Sequence, residues 1–141
     1  MANNNIRDVY TTAAELNRLS EISDFVAKSF RNYGFGEEYI KDLAIVVEEI
    51  FVNIASYAYS DREPGDVIVE CGTDGDCGVL VFKDHGIPYD PTLAEDPVIG
   101  DPLGMTIGGY GLFMVRQIMD EIRYSYDETE KENILSMRKQ K

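Results

Sequence analysis

The spacing of apolar residues changes character along this chain, and the order of those changes restricts the fold. Leu16, Leu19, Ile22, Val26, Phe30 and Tyr33 recur at steps of three and four. Ile40, Leu43, Val47, Ile50 and Ile54 do the same. That period belongs to one face of an α-helix, so two helices are predicted, the first to about Asn32 and the second to near Tyr59. Thr12-Ala13-Ala14-Glu15 has the form of a capping box for the first. Gly34 and Gly36 separate the two, and Glu37 and Glu38 suit a helix N-terminus. The pattern then turns to short β-branched runs. Val67–Cys71 and Val79–Lys83 flank the turn Thr73-Asp74-Gly75-Asp76, which predicts an antiparallel hairpin. A third helix is predicted from Leu112, Val115, Ile118 and Met119, opening at Gly108-Gly109-Tyr110-Gly111. Ile122–Tyr126 and Asn133–Met137 predict a closing strand pair, and Ile6–Tyr10 a short first strand. The order strand, helix, helix, strand, strand, helix, strand, strand predicts an α+β two-layer sandwich. Its sheet is mostly antiparallel, with the helices on one face.

A length of 141 residues is expected to make a single domain spanning 1–141. Thirteen basic residues against twenty-six acidic ones leave a charge of −13. That opposes binding to nucleic acid or an anionic membrane, both of which need a basic patch. It leaves a nucleotide open, because Mg²⁺ and backbone N–H groups can carry phosphate recognition. The N-terminus lacks a charged-then-apolar signal pattern, and no apolar run approaches the ~20 residues of a membrane span, so a cytoplasmic protein is expected. Cys71 and Cys77 flank the hairpin turn, and with His85 the sole histidine no zinc set is complete. Two free thiols are expected.

Three polar features interrupt the apolar pattern. Glu49 and Asn53 are one turn apart on the second helix, about 40° round its axis, and Tyr57 continues their stripe. A carboxylate can hold a hydroxyl, and a carboxamide can offer Mg²⁺ a neutral oxygen; the same spacing also fits a half-exposed polar stripe. Asp84-x-Gly86-x-Pro88 stands at a strand end. There a carboxylate can accept from an exocyclic amine and glycine lets a flat ring approach, although a strand-end turn would read alike. Gly109-x-Gly111 opens a helix, where free N–H groups favour phosphate, but it lacks the third glycine of a dinucleotide fingerprint. Between them lies a stretch holding Pro91, Pro97, Gly100, Pro102, Gly104 and Gly108 with no apolar period, as in a functional lid.

Taken together, Glu49-x-x-x-Asn53, Tyr57-Ala58-Tyr59, Asp84-x-Gly86-x-Pro88-Tyr89-Asp90-Pro91, Gly109-Tyr110-Gly111-Leu112 through Met119-Asp120-Glu121, and Asn133-x-Leu135 resemble the bacterial anti-sigma-factor serine/threonine kinases. These share the histidine-kinase-like ATPase fold of gyrase-like and chaperone ATPases. The resemblance implies ATP and Mg²⁺ as cofactors. It implies Glu49 as the catalytic base and Asn53 as the metal ligand. It further implies Asp84 and Gly86 at the adenine, Gly109, Tyr110, Gly111 and Leu112 about the phosphates, and Tyr57, Pro88 and Gly108 also among the cofactor-binding residues, with a lid at about 91–108. The implied partners are ATP/ADP, an anti-anti-sigma antagonist that is phosphorylated, a sigma factor, and a second copy in a homodimer. Two departures stand out. Lys131-Glu132-Asn133 occupies the place of a Gly-Thr-Thr run found in many relatives, and Tyr57 stands where many carry histidine. A non-catalytic ATP-loaded partner switch and an interaction protein without nucleotide remain as alternatives.

Overall fold

The computed structural model describes residues 5–93 and 109–141. Among the described residues five strands make one sheet: β1 (Ile6–Ala13), β2 (Asp66–Asp74), β3 (Cys77–Asp84), β4 (Glu121–Asp127) and β5 (Glu132–Gln140). Their order is β1-β2-β3-β5-β4, and every neighbouring pair is antiparallel. Three α-helices among the described residues accompany them: α1 (Leu19–Asn32), α2 (Glu37–Asn53) and α3 (Gly109–Ile118).

The helices share one core with one face of the sheet. Ile22, Val26 and Phe30 of α1, Leu43, Val47 and Ile50 of α2, and Leu112 and Val115 of α3 meet Val67, Val69, Leu80, Phe82, Leu135 and Met137. The register explains why those strand residues act together. Val69 stands opposite Phe82, Phe82 opposite Leu135, and Leu135 opposite Tyr124, so one row crosses four strands on one face. Period-2 alternation sends Val79 and Val81 to the other face, where they are buried outside the helix-facing core. The expected α+β layering is what forms, with a wholly antiparallel sheet.

Two local expectations are corrected. The capping box does not form. Thr12 lies within β1, paired with Val67 across the ladder, so its backbone is extended and the strand is longer than the sequence pattern implied. Its hydroxyl donates to the Glu21 carboxylate instead. Glu15 precedes a short 3₁₀ turn, Leu16–Arg18, and makes no side-chain cap. The second helix also does not run as a regular helix to Tyr59. It is α-helical to Asn53 and then widens into a π turn over Ile54–Ala58. The stop between α1 and α2 falls where expected, with Gly34 at φ 93°. Cys71 and Cys77 are free thiols, both buried. Burial pushes the Cys71 thiol up, away from the reactive thiolate.

Candidate functional site

A pocket of about 300 Å³ opens beside the widened end of α2, between that turn, the ends of β3 and β5, and the start of α3. Its walls are mainly apolar: Ile50, Ile54, Phe82, Ile87, Pro88, Leu112 and Leu135. Asn53, Asp84, Tyr124 and Asn133 bring the polar groups. An apolar slot with a few placed polar atoms is the usual form of a small-molecule site.

The polar floor follows from the register. Asp84, the last residue of β3, stands directly opposite Asn133 near the start of β5. Both continue the helix-facing row that begins with Val67, so both are buried, each 6% exposed. Asp84 Oδ1 accepts from the Gly86 backbone N–H at 2.9 Å and from Asn133 Nδ2 at 3.0 Å. Its second oxygen takes no hydrogen bond from a described residue, and the side chain lines the pocket. Burial raises the Asp84 carboxyl above the usual range, while the two donors on Oδ1 oppose that rise. Asn133 has further work. Its Nδ2 also donates to the Ile87 carbonyl at 3.0 Å, and its Oδ1 accepts from the Tyr89 N–H at 3.2 Å and from the Tyr124 hydroxyl.

The loop after β3 is fixed against α2. Ile87 N–H donates to the Ala58 carbonyl at 2.8 Å. A Cβ at Gly86 would overlap the Ala58 carbonyl and side chain. Gly86 is therefore required by the close approach of the π turn, and it borders the pocket without lining it. Tyr59, the residue after that turn, braces the other side: its hydroxyl donates to the Asp66 carbonyl and accepts from the His85 N–H, both at 2.7 Å.

The remaining expected site residues divide. Asn53, half-buried, lines the pocket and makes no side-chain hydrogen bond to a described residue, so its amide is available to a ligand. Tyr57 and Pro88 are exposed at the rim and line it as well. Leu112 lines the opposite wall. Glu49 is half-buried and lies against α3: a Cβ at Gly111 would overlap Glu49 Oε2. The structure thus brings Glu49 to the glycine at the helix start, one step beside the pocket lining. Gly109 begins α3, and Tyr110 follows within it. Gly108, and all of the expected lid beyond Leu93, lie outside the described residues. Among the described residues no group of three His, Cys, Asp or Glu side chains could hold a metal. A Mg²⁺ ion would instead suit a site with one protein oxygen and several phosphate oxygens, a mode this ion favours, and the open amide of Asn53 fits it.

Sequence reasoning gave Asn133 only a place in a motif, and it missed Tyr124 and Ile87. A signal existed. Val79–Lys83 and Asn133–Met137 both border polar loops. Pairing their apolar positions antiparallel puts Asp84 opposite Asn133. The Ile87 and Tyr124 positions depend on loop and edge-strand geometry and leave no comparable mark.

The chain matches the histidine kinase-like ATPase domain over residues 12–139. Serine-protein kinase RsbW of Listeria innocua serovar 6a is 32% identical over 100 residues, which is 67% of this chain and 64% of that protein. Serine-protein kinase RsbW of Bacillus subtilis strain 168 is 28% identical over 102 residues, 64% of this chain and 59% of that protein. The matched part thus spans slightly less than two thirds of these relatives' length. Among solved structures, the SiaB–SiaC complex from Pseudomonas aeruginosa contains a chain that superposes with a TM-score of 0.64 at 15% identity, covering 98% of this chain and 92% of that one. A structure of RsbU and RsbW domains from Mycobacterium tuberculosis gives 0.64 at 14% identity, covering 95% and 32%. At those identities the likeness is one of fold. No helix among the described residues is long and apolar enough to cross a membrane.

Proposed function

The chain belongs to the histidine kinase-like ATPase family, and we propose that it is an ATP-dependent serine/threonine protein kinase of the anti-sigma-factor type. Its protein substrate is an anti-anti-sigma antagonist, and its second partner is a sigma factor. The relatives named serine-protein kinase RsbW support this direction. The observation that carries it is Asp84: a buried carboxylate held by one oxygen at the floor of an apolar slot, with the other oxygen left for a ligand amine.

In this reading the adenine ring enters between the apolar walls and its exocyclic amine donates to Asp84. The N–H groups at the start of α3, Gly109 to Leu112, receive phosphate oxygens. Asn53 contributes the protein oxygen to Mg²⁺, whose charge, when bound, neutralises the phosphates. Glu49 takes the proton of the acceptor hydroxyl. The hydroxyl oxygen forms its bond to the γ-phosphorus as the bond to the ADP oxygen breaks, so phosphoserine or phosphothreonine and ADP are the products. Positioning and charge neutralisation supply most of what such a transfer needs.

Transfer of labelled phosphate from Mg-ATP to a candidate antagonist tests this. Glu49→Gln should keep nucleotide binding and lose transfer by about 10²–10⁴-fold, the usual contribution of a placed base. Glu48→Gln, on the exposed side of α2, should change little. Wild-type transfer by Glu49→Gln would remove the catalytic assignment. One observation favours a second reading: Glu49 lies against Gly111 and does not line the pocket. In that case the protein is an ATP-loaded switch that exchanges partners without transfer. Nucleotide-dependent partner exchange with no labelled product would select it. The family resemblance further supports a cytoplasmic homodimer. Light scattering distinguishes one 15.9 kDa chain from two.

A further inference from the structure

We propose that Asn133 is the positioning residue that sets the base selectivity of the pocket, by holding Asp84 so that it accepts from a 6-amino purine and repels a 6-oxo purine. The inference rests on the pocket being a purine site. It adds to that reading a residue that positions Asp84.

The orientation of the Asn133 amide is fixed by its neighbours. Nδ2 faces three acceptors: Asp84 Oδ1 at 3.0 Å, the Ile87 carbonyl at 3.0 Å and the Gly86 carbonyl at 3.4 Å. Oδ1 faces two donors, the Tyr89 N–H and the Tyr124 hydroxyl. A flipped amide would set oxygen against three acceptors and nitrogen against a backbone N–H, so the network admits one orientation. The group cannot ionise and cannot turn. It ties the end of β3, the loop 86–89 and strand β4 to one point.

The consequence for Asp84 is geometric. Two donors, Asn133 Nδ2 and Gly86 N–H, converge on the same oxygen. The carboxylate cannot rotate without breaking both bonds, so its second oxygen keeps one direction. An acceptor fixed in an apolar slot takes an N–H and is opposed to a carbonyl oxygen, which has no hydrogen to offer. Loss of the Asn133 donor leaves the buried carboxylate with one anchor. It also removes one of the groups that hold the charged form against burial. A carboxyl that turns, or that keeps its proton, no longer distinguishes an amine from a carbonyl.

The test compares ATP with purine riboside 5′-triphosphate, which lacks the 6-amine, by calorimetry on the full chain with Mg²⁺. In wild type the ratio of the two dissociation constants should be about 10- to 100-fold in favour of ATP, the usual range for a hydrogen bond to a charged group. In Asn133→Ala the ratio should fall close to one, while affinity for the analogue moves far less. GTP should gain on ATP in the same variant. A purely structural role would weaken both nucleotides alike and preserve the ratio; that result overturns the proposal. Tyr124→Phe, at a half-buried rim position, covers the case in which the alanine variant does not fold. It removes one of the two donors that pin the amide, so the ratio should fall about two- to tenfold. An unchanged ratio there overturns the proposal too. Wild-type protein that binds neither removes the purine-site reading itself and the inference with it; wild-type protein that binds both equally lacks the amine contact at Asp84 and overturns the inference alone. Selective wild type with unaffected variants removes the role of Asn133 alone.

Discussion

The two ends of the β3–β5 ladder are finished in opposite ways. Near the start of β3, Gly78 pairs with Lys139. A Cβ at Gly78 would overlap the Tyr39 hydroxyl and the Phe30 ring. The missing side chain is what admits them. Phe35 packs on Tyr39 at 4.3 Å between ring centroids and on Phe30 at 5.5 Å, and the Tyr39 hydroxyl donates to the Lys139 carbonyl at 2.6 Å. At the other end, Asp84 pairs with Asn133, and about 300 Å³ is left open above them. One end is close-packed with aromatic rings whose hydroxyls, on Tyr33 and Tyr39, are hydrogen-bonded. The other ties Asn133 and one oxygen of Asp84 into a network and leaves the second Asp84 oxygen facing open volume. The difference teaches that close packing and open volume are assigned to separate ends of one strand pair.

Substitutions can break that separation or sharpen it. The largest effect on folding belongs to the closed end. Phe30, 1% exposed, touches three other rings, so Phe30→Ala should lose about 3–5 kcal/mol in denaturant unfolding. Whatever folded protein remains should bind nucleotide with unchanged affinity. A drop in intrinsic affinity would show that the two ends are coupled. Next comes Asp84→Asn at the open end. It exchanges the acceptor for an amide that can present N–H to the ligand amine, and ATP affinity should fall about 10- to 100-fold. The unfolding midpoint should move little by comparison. A large loss of stability with intact ATP binding would reverse the assignment.

The smallest effect is one of pH, and its sign is specific to the open end. Burial raises the folded-state carboxyl of Asp84 above its unfolded value, which lies near ~3.9. The folded chain therefore holds this proton more tightly than the unfolded chain does. The stability this group contributes is fully present below the unfolded value and is lost as pH rises through the raised one. Under the proposed binding mode nucleotide affinity runs the other way, because a proton on the second Asp84 oxygen would face the amine with a donor. ATP affinity should fall on acidification at a higher pH than an ordinary aspartate would give. Asp84→Asn should flatten both trends; a pH profile of ATP affinity identical in wild type and variant would assign the titration elsewhere.

Much of this arrangement could be read before the structure was known, and the exceptions have physical causes. Helical period placed α2, and Glu49 and Asn53 on it, because a stripe of five apolar residues outweighs local preference. The strands around Thr73–Asp76 were legible from turn chemistry. The capping box misled because Thr12 and Glu15 satisfy a local rule, whereas the ladder between β1 and β2 fixes Thr12 in extended backbone. Local rules yield when tertiary pairing is at stake. The π turn at Ile54–Ala58 has no composition of its own, since its shape answers to the loop carrying Gly86 and Ile87. Asn133 shows the converse: its identity was plain, but its importance depends on which residue faces it across the sheet.

The pairing of Asp84 with Asn133 also has a meaning in time. These residues are 49 positions apart. No local segment, hairpin or isolated helix contains both, so the floor of the pocket exists only after β3 has found β5. Contacts of such separation close a long loop and are slow to form relative to the two hairpins. Ligand affinity is therefore a property of the finished sheet and of nothing earlier. A nucleotide that binds there draws on the native state alone, and added ligand raises the melting temperature by mass action. Occupancy of the pocket would thus report on whether the chain has completed its fold.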